Sequence, residues 1–148
     1  MADEKGIPWK LPTDIQYFRN KTMGGNVLMG LVTYKEFNSP MPGRRNYVAN
    51  DTSERLREGF EEVRELKQFV ENFEGDLWII GGAGIFAQTI EQADELYLTR
   101  VEGDFDCTKF FPEFENKFVL AEQSEVHTEN GIHFRFEVWK RNNSNIPA

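Results

Sequence analysis

The stretch Leu77-Trp78-Ile79-Ile80-Gly81-Gly82-Ala83-Gly84-Ile85-Phe86 constrains the fold more than any other part of the chain. Four apolar residues run into two adjacent glycines, a small residue, a third glycine and an amphipathic run. This pattern predicts a strand buried on both faces that feeds a helix through a tight turn. Glycines at such a turn let backbone N–H groups approach a ligand, and the helix N-terminus favours an anion such as phosphate. The same glycines also suit an ordinary strand–helix junction that binds nothing. The stretch is neither the G-x-G-x-x-G of dinucleotide folds nor a P-loop, because no Gly-Lys-Ser/Thr follows.

The rest of the chain alternates in the same way. Pro8 and Pro12 fix an extended lead-in, and Thr13-Asp14-Ile15-Gln16 matches a capping box opening a helix to about Thr22. Asn26–Gly30 reads as a short buried strand, Leu31–Phe37 as a short helix and Asn46–Ala49 as a strand. Between 52 and 74 two readings stand: one long helix, or a brief strand at Phe60–Val63 and then a helix from about Leu66 to Phe73. A helix over Gly84–Gln92 and a strand over Glu95–Val101 follow. Phe118–His127 and Ile132–Arg141 flank Glu129-Asn130-Gly131, a hairpin signal. The expected fold class is α/β: a mostly parallel twisted sheet with antiparallel C-terminal strands and flanking helices.

A chain of 148 residues suits one domain, here 1–148, with a core that needs no staples. The single cysteine, Cys107, excludes an internal disulfide framework and fits a reducing cytoplasm. No apolar run approaches the ~20 residues of a membrane span, so no membrane partner is expected. The net charge of −8 argues against a nucleic-acid partner. That charge is uneven: residues 1–50 carry seven Lys/Arg against four Asp/Glu, and 51–148 carry ten against twenty-one. A basic first third suggests a local site for a small anion.

Few side chains offer chemistry. His127 and His133 fall near the hairpin turn and read as surface residues, Cys107 as structural, and no spacing fits a metal site. Asp14 is the one carboxylate in a suggestive setting, in a first helical turn among Trp9, Ile15 and Phe18. It either complements the helix dipole or grips an N–H pair on a flat heterocycle.

Six motifs then occur in order: Ile7-Pro8-Trp9-x-Leu11-Pro12-x-Asp14 with Phe18, Met29-Gly30-x-x-Thr33, Pro42-Gly43-Arg44-Arg45-Asn46, Ile79-Ile80-Gly81-Gly82, Leu96-Tyr97-Leu98-Thr99 and Thr108-Lys109-Phe110-Phe111-Pro112. From about residue 7 to 141 the chain resembles bacterial dihydrofolate reductase.

The resemblance implies reduction of 7,8-dihydrofolate to tetrahydrofolate. Hydride would pass from the nicotinamide of NADPH to pterin C6, with a proton reaching N5 through water. It implies that Asp14 holds the pterin ring, that the Thr99 hydroxyl supports this carboxylate, and that Trp9 orders a water. Ile7 and Phe18 would wall the pterin pocket, Ile80 and Phe86 would line it, and Phe37 and Met41 would pack on the aminobenzoyl group. Arg44 would pair with the glutamate tail, a contact that suits guanidinium geometry. Gly81, Gly82, Ala83, Gly84 and Ile85 would line the nicotinamide and phosphates, with Gly30, Leu31 and Thr33 beside them and Gln88 near the adenine. Antifolate inhibitors would be further ligands, and a monomer is expected.

The sequence departs from the family pattern twice. The family opens with a buried strand and a loop that covers the nicotinamide, and only Met1–Gly6 precede Ile7, so a strand of about 5 residues and most of that loop are expected to be missing. The arginine that usually follows Met-Gly and grips the 2′-phosphate of NADPH is Leu31, and another common basic position is Gly84. Asn50 and Asp51 stand where hydroxyl or basic residues are usual. NADPH is the expected cofactor, with NADH left open. Two alternatives accompany this reading: a pyrimidine reductase of the riboflavin pathway type, and a degenerate folate-binding module without catalysis.

Overall fold

The computed structural model describes residues 12–102 and 114–141. Short apolar strands alternating with helices give a four-stranded parallel sheet. Helix α1 (Pro12–Thr22) leads into β1 (Asn26–Gly30), followed by α2 (Leu31–Tyr34), β2 (Arg45–Ala49), β3 (Phe60–Val63), α3 (Leu66–Asn72), β4 (Leu77–Gly81) and α4 (Ala83–Thr89). A 3-10 turn, Ile90–Gln92, ends this part. The strand order is β3-β2-β1-β4. Strands that alternate with helices must cross over the sheet to return in the same direction, so all four run parallel.

The period-2 alternation of β1 separates two cores. Val27 and Met29 pack with Tyr34, Met41 and Val48, and Leu28 packs with Tyr47 and Val63. Phe69 of α3 and Phe73 just beyond it close on the second group, with ring centroids 4.9 and 5.9 Å from that of Tyr47. The two readings of residues 52–74 resolve to a strand and a short helix. Gly59 has φ +92°, where a side chain would also run into the Pro40 ring, so a helix cannot pass through it. β3 then pairs with β2, Tyr47 opposite Glu61.

β4 differs from expectation in burial. Leu77–Ile80 are only half-buried, because β1 is the one strand paired with β4 among the described residues. Leu28 pairs with Ile79 and Met29 with Gly81, leaving Ile80 as the extra residue of a bulge just before the glycine turn.

The antiparallel strands expected at the C-terminal end form a second sheet: β5 (Glu95–Val101), β6 (Phe118–Gln123), β7 (His127–Glu129) and β8 (Ile132–Arg141). Its order is β5-β8-β6, with β7 also on β8. β7 and β8 join through Asn130 (φ 50°) and Gly131 (φ 76°), a two-residue turn with both central residues left-handed, as the Asn-Gly pair demands. The described residues fall into two compact units, Tyr17–Gln92 and the residues on either side of it.

The second sheet is organised around a buried acid. Glu137 of β8 is 2% exposed and accepts hydrogen bonds from Arg100 Nε (2.9 Å), Arg135 Nε (2.8 Å) and Trp139 Nε1 (2.8 Å). Burial pushes its carboxyl up, but Arg100, Trp139 and Arg135 outweigh that and hold it below the usual carboxylate value. The network therefore stabilises the fold above the unfolded-state pKa and is lost as pH falls through the folded value. Glu137→Ala leaves three donors without an acceptor. Urea denaturation at pH 7 should show a loss of about 2–3 kcal/mol, the range of hydrogen bonds to charged groups, and the deficit should shrink below pH 4.

Candidate active site

Asp14 is the third residue of α1, and the Thr99 hydroxyl of β5 donates to its Oδ1 at 2.7 Å. Thr99 faces Phe136 across the β5–β8 ladder, which fixes its position along the strand. Burial pushes the Asp14 carboxyl above its ordinary value, the Thr99 hydrogen bond opposes this, and the charge of Glu129 adds to it. The helix begins two residues earlier than the capping-box reading, which puts Thr13 at the N-cap, and proline takes its first position, where a missing N–H costs nothing. The Thr13 N–H donates at 3.0 Å to Oε1 of Glu129, and the Thr13 hydroxyl donates to Oε2 of the same carboxylate. In the sequence Glu129 reads only as the start of a hairpin signal. No local signal could pair it with a residue 116 positions away.

In the Tyr17–Gln92 unit the expected apolar residues gather. Met41 belongs to the first core cluster, and Phe18, Leu31, Phe37 and Ile80 are half-buried against it. Arg44 sits on the loop entering β2, its Nη1 donating to the Thr22 hydroxyl (3.1 Å) and its Nε to the Pro42 carbonyl (3.1 Å). Burial and then the nearby Arg19 pull its guanidinium pKa down. Two cations that disfavour each other's charge make a place where an anion is welcome. The loop itself is held by buried Asn46, whose Nδ2 donates to the carbonyls of Met41 and Arg44 while its Oδ1 accepts from the Met41 N–H. Nothing in the sequence around Asn46 signals this role, because its partners lie on the main chain.

The glycine turn at the end of β4 forms a cradle. Gly81 has φ +135°, reserved for glycine, and its peptide bond to Gly82 is cis. A Cβ on Gly81 or Gly82 would lie 3.4 or 3.5 Å from the Thr33 hydroxyl, and one on Gly30 would meet Ile85 Cγ1 at 2.7 Å. Gly30, Thr33, Gly81, Gly82, Ile85 and Phe86 are thus brought together, with bare backbone where side chains would stand. Ala83 opens α4, and Gly84 is exposed with open space at its Cβ. Gln88, exposed on α4, helps line a cleft of about 490 Å³ with Asn50, Asp51, Arg64 and Lys67. A cleft of about 590 Å³ along α3 contains none of the expected residues. Ile7, Trp9 and Cys107 lie outside the described residues, as does the Thr108–Pro112 motif. Among the described residues no group of three His, Cys, Asp or Glu could hold a metal, and no helix is long and apolar enough to cross a membrane.

Parallel strands whose carboxyl ends carry a glycine cradle and a neighbouring polar cleft have the architecture of an open α/β sheet, whose ligands lie outside those strand ends. Comparison with known proteins gives the particular family. A dihydrofolate reductase family model matches residues 1–141. The dihydrofolate reductase of Bacillus subtilis (strain 168) is 30% identical over 149 residues, covering 97% of this chain and 89% of the relative. That of Staphylococcus aureus (strain Mu50) is 32% identical over 112 residues, 75% of this chain and 69% of the relative. A solved structure of dihydrofolate reductase from Enterococcus faecalis, complexed with NADP(H) and RAB-propyl, superposes with TM-score 0.84 at 26% identity, covering 96% of this chain and 89% of that one. The chain belongs to the dihydrofolate reductase family.

The raised Asp14 pKa has a consequence for stability. Its ionised form is disfavoured by the fold, so the native state holds the proton to higher pH than the unfolded state, and stability falls as pH rises through that window. Asp14→Asn removes this cost. Thermal melts should show the variant more stable than the parent at pH 7, with the gap closing near pH 3, where Asp14 is protonated in both states.

Proposed function

We propose that this family's reaction uses Asp14 and Thr99 in one unit, and the apolar group around Met41, Arg44 and the glycine cradle in the Tyr17–Gln92 unit. Membership of the family makes the chain an oxidoreductase that reduces dihydrofolate with NADPH. The pyrimidine reductase and non-catalytic alternatives find no support in the family match. The observation that carries the assignment of roles is the hydrogen bond from Thr99 to Asp14. It fixes one carboxylate oxygen and leaves the other available to an N–H donor on a planar ring.

When bound, NADPH supplies the hydride that the pterin accepts at C6. The protein's own contribution is placement and charge. Asp14 orients the ring through its N–H groups, and its negative charge favours the ring's protonated form while water delivers the proton to N5. Phe18, Phe37, Met41 and Ile80 offer apolar walls, Ile80 aimed by the bulge that precedes the glycines. Arg44, with Arg19 beside it, meets the carboxylate of the glutamate tail. The fit to the cofactor rests on the cradle: the space that Cβ atoms on Gly81 and Gly82 would fill lies beside the Thr33 hydroxyl, a phosphate hydrogen-bond donor. Ile7 and Trp9 keep the roles that the resemblance implies. A monomer in the cytoplasm, without nucleic-acid or membrane partners, fits the acidic balance and the single cysteine.

The 2′-phosphate would meet a cleft without net positive charge. Leu31 is packed against the core, Asp51 and Glu65 offset Arg64 and Lys67, and Arg64 is already engaged by Glu62 at 3.1 Å and the Thr52 carbonyl at 2.7 Å. Lys67 is exposed and would contribute a screened contact. Lys67→Ala should raise KM for NADPH about threefold and leave KM for NADH unchanged, an effect that fades with added salt.

Dihydrofolate-dependent NADPH oxidation tests the central assignment. Asp14→Asn should lose about 10²-fold or more in turnover at pH 7 and recover as the pH falls and solution acid protonates the substrate. Normal turnover of that variant at pH 7 would remove Asp14 from the mechanism.

A further inference from the structure

Glu129 closes β7 just before the hairpin turn and spends both carboxylate oxygens on Thr13: Oε1 on its backbone N–H, Oε2 on its hydroxyl. That N–H lies in the first turn of α1, where no carbonyl of the helix can reach it. The carboxylate therefore caps α1 from a distant hairpin, and the next residue along is Asp14. We propose that Glu129 is the positioning residue for Asp14, tying the carboxylate that grips the substrate to the β7–β8 hairpin. The proposal rests on the reading of Asp14 given above.

Geometry carries it. A two-point hydrogen bond to one residue fixes both the place and the rotation of the helical turn it holds. Asp14 is itself held by Thr99 at 2.7 Å. Thr99 pairs with Phe136 of β8, and Glu129 pairs with Ile132 of the same strand. Both contacts that locate the turn are thus referred to β8, so the carboxylate is surveyed from two points on one rigid strand.

Charge acts in the same direction. Two donors from Thr13 hold Glu129 below its ordinary pKa, and His127 on the same strand favours its charge. This fixed negative charge adds to burial in pushing the Asp14 carboxyl up. Several other charges on the surrounding elements have partners of their own. On β5, Glu95 accepts from Tyr97 and Arg100 donates to Glu137. On β8, Arg135 donates to Glu137 and His133 bonds Thr128. On α1, Lys21 lies over the Tyr17 ring and Arg19 is felt by Arg44. Two carboxylates whose surroundings drive their pKa values apart are the usual mark of a tuned site.

The test uses the full chain, with Glu129→Gln removing the charge and keeping one acceptor, and Thr13→Val removing the hydroxyl and keeping the N–H. Carbon-detected NMR follows the titration of the Asp14 carboxyl, and fluorescence quenching measures dihydrofolate affinity. The expected results are an Asp14 titration moved to lower pH in Glu129→Gln, and dihydrofolate affinity reduced about tenfold in Glu129→Gln and about threefold in Thr13→Val. A change in either readout in either variant supports the proposal. A fall in melting temperature with neither readout moved reduces Glu129 to a helix cap and overturns it. Should Glu129→Gln not fold, Thr13→Val decides alone by the same two readouts. Asp14→Asn separates the two assignments: if it binds dihydrofolate as tightly as the parent while Glu129→Gln moves the Asp14 titration, the clamp stands and the reading of Asp14 fails.

Discussion

The parallel pairing of β1 with β2 on one side and β4 on the other is the constraint on which the Tyr17–Gln92 unit depends. Val27, Leu28 and Met29 have no exposed surface, so the strand cannot slip by one residue without moving Met29 from one core to the other. With the register fixed, the carboxyl ends of these strands stay level. Gly30, Asn50 and Gly81 emerge at the same edge, and the cradle and the neighbouring cleft follow from that alignment. The chemistry at the edge is carried by backbone and small residues, which an alignment of strand ends can place without further help.

The second unit works by a different principle. Its sheet is antiparallel, and its most informative contacts are ionic. Glu137 draws Arg100, Arg135 and Trp139 together on one face of β8, while Glu129 reaches the start of α1 from the same sheet. The two acids hold their charge for different reasons. Glu137 is buried and outweighs that burial with three donors, whereas Glu129 has two donors from one residue. Asp14, with one hydrogen bond and a negative neighbour, is the carboxylate left easiest to protonate. The fold thus lowers the pKa of two acids and raises that of the third, setting Asp14 apart from the acids that hold the sheet and the helix start.

Much of this was legible in the chain because it is encoded locally. The strand-to-helix junction at Gly81-Gly82, the strand at Val27–Met29 and the Asn130-Gly131 turn each need only neighbouring residues, and each element formed where expected. The family motifs carried Asp14 and Thr99 across 85 positions, a pairing that periodicity could never supply. What stayed hidden depends on partners distant in sequence. Glu129 reads as a turn residue until Thr13 is beside it, and Glu137 reads as a polar position on a strand until two arginines close on it. The half-exposure of Leu77–Ile80 was equally invisible, since an apolar run announces that a strand prefers burial and not how many neighbours it has.

Asn46 holds the loop before β2 entirely through main-chain atoms, those of Met41 and Arg44. These bonds do not depend on the Met41 side chain, whereas the Arg44 side chain adds a bond of its own to the Pro42 carbonyl. The residue at 41 can change its size and so resculpt the apolar cluster while the guanidinium at 44 keeps its origin. One amide thus separates the loop's path from the size of the side chain at 41, because the hydrogen bonds it makes end on backbone atoms.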